Sequence, residues 1–122
     1  MHTEVLIKRC YDTITEDGMR ILVDRLWPRG IKKEDLKCDI WAKDIAPSPE
    51  LRKMFHADPD AHWDLFAKSY GQELDTSSAF ADLMSKIKKE KPTRIILLYA
   101  FKNTTKNHAV LLQQKMMAML KQ

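Results

Sequence analysis

Residues 20–30 read RILVDRLWPRG, and the passage from apolar to charged within them decides the fold class. Ile21, Leu22 and Val23 are consecutive strand formers, the pattern of a strand covered on both faces, as parallel sheets require. Asp24, Arg25 and Arg29 then place charge where the strand opens into a loop, and Pro28 and Gly30 stop it. In parallel α/β sheets, the carboxyl ends of the strands are where ligands bind. The stretch therefore gives a fold class, a location and a charge type.

Two further strands flank this one in the sequence. Residues 4–10 (EVLIKRC) form the first, followed by a loop with an Asp17-Gly18 turn signal. Residues 94–100 (RIILLYA) are an unbroken apolar run suited to a central position. The second strand spans residues 20–26, and residues 32–36 make a short helical turn. Residues 39–45 (DIWAKDI) alternate polar and apolar residues and fit either a short strand or an extended segment.

Helices fill the spaces between. Ser48 is a good N-cap before Pro49, so Leu51, Met54 and Phe55 share one face. Asp58-Pro59 repeats that start, and Trp63, Phe66, Tyr70 and Leu74 then recur at helical steps as a core-facing stripe. Phe80, Leu83 and Ile87 form the buried side of a third helix ending before Pro92. A last helix covers about residues 105–120, with Asn103 or Thr104 as its cap and Ala109, Leu112, Met116 and Leu120 inward. Widely spaced strands with helices between them imply a small, mostly parallel sheet covered by helices, in one α/β domain spanning residues 1–122.

Composition bounds the function. An apolar content of 44% and a charged content of 31% are those of a globular chain. No charged, apolar leader opens the sequence, and the longest apolar run falls far short of the roughly 20 residues that cross a bilayer, so a cytoplasmic location without membrane partners is expected. Cys10 and Cys38 have neither CxxC spacing nor a histidine at ligand distance, and read as free thiols. His56 and His62 stand six apart and share no helix face, so no metal is expected. The net charge of +4 rests largely on Lys32, Lys33, Lys86, Lys88, Lys89 and Lys91. These lack interleaved aromatics, which makes nucleic acid an unlikely partner. With no Walker loop, GxGxxG or GxSxG, the chain shows none of the familiar nucleotide or nucleophile motifs, and no cofactor is implied.

If the strands are parallel, their carboxyl ends gather Lys8 and Arg9 from the first, and Asp24, Arg25 and Arg29 from the second. The third strand and the last helix add Tyr99, Lys102, Asn103, Asn107 and His108. Several cations around one acid suit a phosphate, a nucleotide or a carboxylate, and guanidinium forks bind such oxyanions through two bonds. The ligand-binding candidates are Arg9, Arg25, Arg29, Tyr99, Lys102 and Asn107; Asp24 and His108 are the candidates for acid–base chemistry. Duller roles compete: Asp24 and Arg25 as a structural ion pair, Arg29 stacked on Trp27, Trp27 as pocket wall, His108 as an ordinary hydrogen-bonded histidine.

KRCYD at residues 8–12, DGMRILVDRLWPRG at 17–30, WAKDIAPSPELRKMF at 41–55 and LLYAFKNTTKNHAVLL at 97–112 together resemble the DUF488 (YeaO-like) family of small bacterial proteins, over nearly the whole chain. The resemblance implies a compact α/β fold and no established reaction. In the family pattern a Lys-Asp pair follows the last strand and a His-Asn pair opens the next helix. Lys102 and Asn107 match it, whereas Asn103 stands for the acid and Lys106 for the histidine. The departures remove a carboxylate and an imidazole from the expected pocket. Binding of a small anion is thus the leading expectation. A hydrolase or transferase for phosphorylated or glycosidic substrates and a nucleic-acid or protein interaction module are the alternatives, and a homodimer through an apolar helix face is compatible with all three.

Overall fold

Strands β1 (Glu4–Arg9), β2 (Met19–Leu22), β3 (Ile40–Trp41) and β4 (Arg94–Tyr99) make one sheet in the order β1-β4-β2-β3, in a computed structural model describing residues 3–121. Every pairing is parallel: β4 lies between β1 and β2, with Val5 opposite Ile95 and Ile21 opposite Leu97. Among the described residues five α-helices accompany the sheet: α1 (Lys33–Leu36), α2 (Pro49–Ala57), α3 (Pro59–Asp75), α4 (Ser78–Glu90) and α5 (His108–Leu120). The fold is α/β in one compact domain, as the spacing of strands and helices predicts.

The period-2 alternation of strand side chains divides the core into two unequal parts. Val5, Ile21, Val23, Ile95, Leu97 and Tyr99 face a thick layer containing Phe55, Phe66, Tyr70, Phe80, Ile87, Leu112 and Met116 from α2 to α5. Leu22, Ile96 and Leu98 point the other way, into a thin layer of Cys10 and Leu36 edged by Ile14, Trp27 and Ile31. The thin face is tied together by polar bonds: Arg20 donates to the Leu36 and Ile14 carbonyls. Each fully buried Leu, Ile or Phe contributes about 1.5–3 kcal/mol, so the thick layer carries most of the stability.

The helix caps follow the sequence signals at α2 and α3. Ser48 Oγ accepts from Leu51 N, and Asp58 Oδ1 from Ala61 N, each just before a proline. Gly18 is required where the chain passes β4, since a Cβ there would lie 2.9 Å from the Arg94 carbonyl oxygen. No helix among the described residues is long and apolar enough to cross a membrane.

Three boundaries differ from the sequence expectation by more than one residue. The second strand ends at Leu22 rather than residue 26. Val23 N still bonds Leu98 O, but the next donor on the neighbouring chain, Ala100 N, is taken by the Asp24 carboxylate at 2.9 Å instead of by backbone. Residues 39–45 resolve into the two-residue β3 and a single 3-10 turn at Lys43–Ile45. The last helix begins at His108, three residues later than expected, and its cap is Asn107, not Asn103 or Thr104. Asn103 Oδ1 instead accepts from Thr105 N, Thr105 Oγ1 and Lys106 N, an Asx turn that competes with helix initiation.

Candidate functional site

The carboxyl ends of β2 and β4 part company. After β4 the chain enters α5 on the thick face; after β2 it enters the loop to Ile31 and Leu36 on the thin face. Adjacent parallel strands whose continuations leave on opposite faces open a crevice between them, the general location of ligand sites in such sheets. A cavity of about 450 Å³ occupies that crevice. Its lining combines residues 24–29 after β2, residues 100–102 after β4, Ala46 and Pro47, and Arg52, Phe55 and His56 of α2, with Phe66, Tyr11 and His108 completing the wall.

The loop between β2 and α1 is fixed by indoles. Trp41 Nε1 donates to the Asp24 carbonyl at 2.8 Å, and Trp27 Nε1 donates to the Ile31 carbonyl at 2.6 Å. The two rings meet edge to face at 5.4 Å. Tyr11 Oη donates to the Arg29 carbonyl, and Gly30 takes a φ of +77°, a region that side chains disfavour. Trp27 is therefore wall and clasp together, and its ring packs on Trp41.

The inner wall is built from polar groups committed to the protein itself. Asp24 Oδ2 accepts from Ala100 N, while Oδ1 is buried without a well-directed hydrogen-bond donor. His108 Nε2 lies 3.0 Å from that Oδ1 and 3.1 Å from the Val23 carbonyl, and its hydrogen-bond direction favours Val23. Two oxygens around one ring nitrogen require the proton to sit on Nε2. The expected Asp24–Arg25 ion pair is thus replaced: Asp24 meets His108, and Arg25 Nη2 donates to the Ala46 and Pro47 carbonyls at 3.3 Å each. Tyr70 Oη donates to the Ile45 carbonyl, and Glu73 accepts from both Ser48 N and Ser48 Oγ. Three side chains, two from α3 and one from the loop after β2, therefore hold the segment entering α2.

Of the residues expected at the strand ends, Asp24, Arg25, Arg29, Lys102 and His108 line the cavity, and Arg9, Tyr99 and Asn107 do not. Arg9 turns across β1 to donate to the Ala100 and Phe101 carbonyls, fixing the backbone that carries Lys102. Tyr99 is buried in the thick layer, and Asn107 is fully buried as the α5 cap, its Nδ2 donating to the Asn103 carbonyl. Their roles here are structural. Lys106 points to Asp60 at 2.8 Å, and Asn103 supports its own turn; neither lines the cavity.

Arg52 and His56 complete the cavity, and a reading of strand ends misses them because they come from a helix. Their mark in the sequence is the i,i+4 spacing that puts both on one face of α2. His56 stacks on Phe101 with ring centroids 4.4 Å apart, and Phe55 stacks on Phe66 at 4.1 Å. Burial, then the neighbouring Arg52 charge, holds the His56 pKa below its usual 6.5. None of the ion pairs found among the described residues engages Arg25, Arg29, Arg52 or Lys102. The cavity thus has four fixed cations, one carboxylate and an aromatic interior.

The lining contains no Ser, Thr or Cys. Cys10, the nearest thiol in sequence to Tyr11, has its pKa pushed up to about 11, first by burial and then by the Asp24 charge, so it is a thiol and not a thiolate at neutral pH. Burial likewise raises the Cys38 pKa, and both cysteines are free.

Comparison with known proteins places this architecture. A family model described as "Inactive DUF488-N3 subclade" matches residues 4–122. The uncharacterized protein YeaO of Escherichia coli (strain K12) is 49% identical over 106 residues, covering 86% of this chain and 90% of that protein. An uncharacterized protein of Mycobacterium tuberculosis (strain ATCC 25618 / H37Rv), Rv3073c, is 41% identical over 113 residues, 92% of each chain. No solved structure matches the chain significantly. Matched along almost its entire length and 49% identical to one relative over 106 residues, the chain belongs to the DUF488 (YeaO-like) family, in the branch described as the inactive DUF488-N3 subclade.

Proposed function

We propose that this protein binds a small anionic ligand, a phosphate, nucleotide or carboxylate, in the crevice between the ends of β2 and β4. The observation that carries the reading is the convergence of Arg25, Arg29, Arg52 and Lys102 on one cavity whose single acid, Asp24, is bonded to Ala100 N and lies against His108. Guanidinium groups without acidic partners around a partly apolar crevice favour an incoming oxyanion, and a volume of about 450 Å³ falls within the range of small-molecule sites. Thermal-shift screening of phosphate, nucleotides, sugar phosphates and carboxylates tests it. A ligand at 100 times its dissociation constant adds about 2.7 kcal/mol of stability. The expected hit is lost in Arg29→Ala and Arg52→Ala; a screen without any stabilising anion at millimolar concentration refutes the reading.

The Asp24–His108 contact favours a second reading, acid–base chemistry on a bound substrate. In that arrangement the carboxylate orients the imidazole, as in catalytic triads. The shared Nε2 proton is turned toward Asp24 and Val23, and no Ser, Thr or Cys lines the cavity for the imidazole to activate, so binding is the stronger reading. Turnover of an aryl phosphate or aryl glycoside that disappears in His108→Gln would reverse that preference. The surface lysines support a nucleic-acid role less well. Lys33 lies on α1 over the thin face, whereas Lys86, Lys88 and Lys89 lie on α4 over the thick face, so they form no single stripe.

A further inference from the structure

We infer that the ligand is an anion carrying one planar aromatic or heteroaromatic ring, of mononucleotide or aryl-phosphate type, and not a bare oxyanion or a sugar phosphate. The inference rests on the anion-binding reading and adds the chemistry of the rest of the ligand. The cavity divides by chemistry. Its cations come from Arg25 and Arg29 after β2, Arg52 on α2 and Lys102 after β4. Its body is aromatic: Phe55, Phe66, Phe101 and Trp27, with Ala46 and Pro47 closing one side.

Two features point to a ring. Phe55 and Phe66 lie at 2% and 1% exposure and yet border the cavity, so their rings form its floor and not its mouth. Phe101 is stacked in parallel with His56, at 4.4 Å and an interplanar angle of 2°, a two-ring stack from different elements with flat outer faces, and both residues line the cavity. A bare phosphate would satisfy the cations and leave this apolar interior facing water. A sugar phosphate would place hydroxyls against Phe55 and Phe66, where the aromatic wall offers them no conventional hydrogen-bond partner, and buried hydroxyls without partners are costly. A planar ring with a phosphate or carboxylate answers both halves at once, because its faces stack on aromatics while the headgroup meets guanidinium forks. The neutral form of His56, favoured by its burial, suits a wall that packs against such a ring.

Paired probes of equal charge test the inference. Titration calorimetry is run with phenyl phosphate against methyl phosphate, and with uridine monophosphate against ribose 5-phosphate. Each ring-bearing member is expected to bind at least about tenfold more tightly than its partner, the usual scale of stacking one ring on aromatic side chains. Arg29→Ala should weaken all members of the series that bind, whereas Phe101→Leu, which keeps the apolar volume but removes the flat ring, should erase the ring's advantage and leave methyl phosphate unchanged. Equal affinity within each pair overturns the ring inference and leaves anion binding standing. No binding by any probe overturns both. An advantage that survives Phe101→Leu and Trp27→Leu together also overturns it, since the aromatic wall would then have no part in recognition; circular dichroism on both variants confirms that the fold is retained.

Discussion

The inner wall and the rim of the cavity are made from the same residue types and treat their charges in opposite ways. In the wall, Asp24 is bonded to Ala100 N and in contact with His108, Arg25 reaches two carbonyl oxygens, and Tyr70 holds the Ile45 carbonyl. At the rim, Arg29, Arg52 and Lys102 are exposed and take part in none of the ion pairs of the described residues. Charges already bonded to backbone build the crevice, and charges left open are the ones available to a ligand. Arg25 belongs partly to both groups, since one guanidinium nitrogen holds the 46–47 segment while the side chain lines the cavity. The comparison teaches that charge at a strand end is not by itself a binding group; its existing partners decide.

Substitutions in the wall should cost stability and those at the rim should not. Phe66→Ala carries the largest expected effect. The ring is stacked on Phe55 at 4.1 Å and on Tyr70 at 5.7 Å, and its loss opens a cavity worth about 3–5 kcal/mol. Urea unfolding measures it, and a cost below about 1 kcal/mol would show that the wall relaxes freely. Asp24→Ala comes next. It strands Ala100 N and frees His108, with an expected cost of about 1–3 kcal/mol. At the rim, Arg29→Ala and Arg52→Ala should change stability by no more than about 0.5 kcal/mol. Rim variants that destabilise as much as Asp24→Ala would dissolve the distinction between wall and rim.

How much of this was legible in the sequence follows the same line. The strand interiors and the caps at Ser48 and Asp58 can be read directly, because period, β-branching and Ser-Pro or Asp-Pro signals are local. Residues 20–30 correctly place Arg25, Arg29 and Asp24 at the crevice. Arg9 and Asn107 also stand at a strand end or helix start, but their partners, the Ala100 and Phe101 carbonyls and Val110 N, are fixed by tertiary structure and by turn geometry. The late start of α5 is hidden for a similar reason: Asn103 can serve as a cap or as the acceptor of an Asx turn, and three donors decide for the turn. Arg52 and His56 share a helix face visibly, yet only the packing of α2 beside the end of β4 turns that face toward the site. The parallel sheet and the crevice's position are thus written locally, while the division of its charges into held and free is not.

The smallest effect probes the border between wall and rim, at His56. Burial against Phe55 and Phe101 disfavours its charged form, and the nearby Arg52 charge adds to this, so its pKa lies below 6.5 in the folded protein. A histidine that binds its proton less well when folded favours unfolding as it becomes protonated. Its contribution is therefore complete above pH 6.5 and is lost as the pH falls through the lower, folded value. Because the burial of His56 is only partial, solvent screening keeps that contribution small, and the better observable is the titration itself, followed by the ring-proton shifts in NMR. Arg52→Ala should move the midpoint upward without restoring it fully, since burial, the larger cause, remains. A full return to 6.5 would show instead that the rim cation governs His56, and the stacked ring would then belong to the rim's electrostatics and not to the wall.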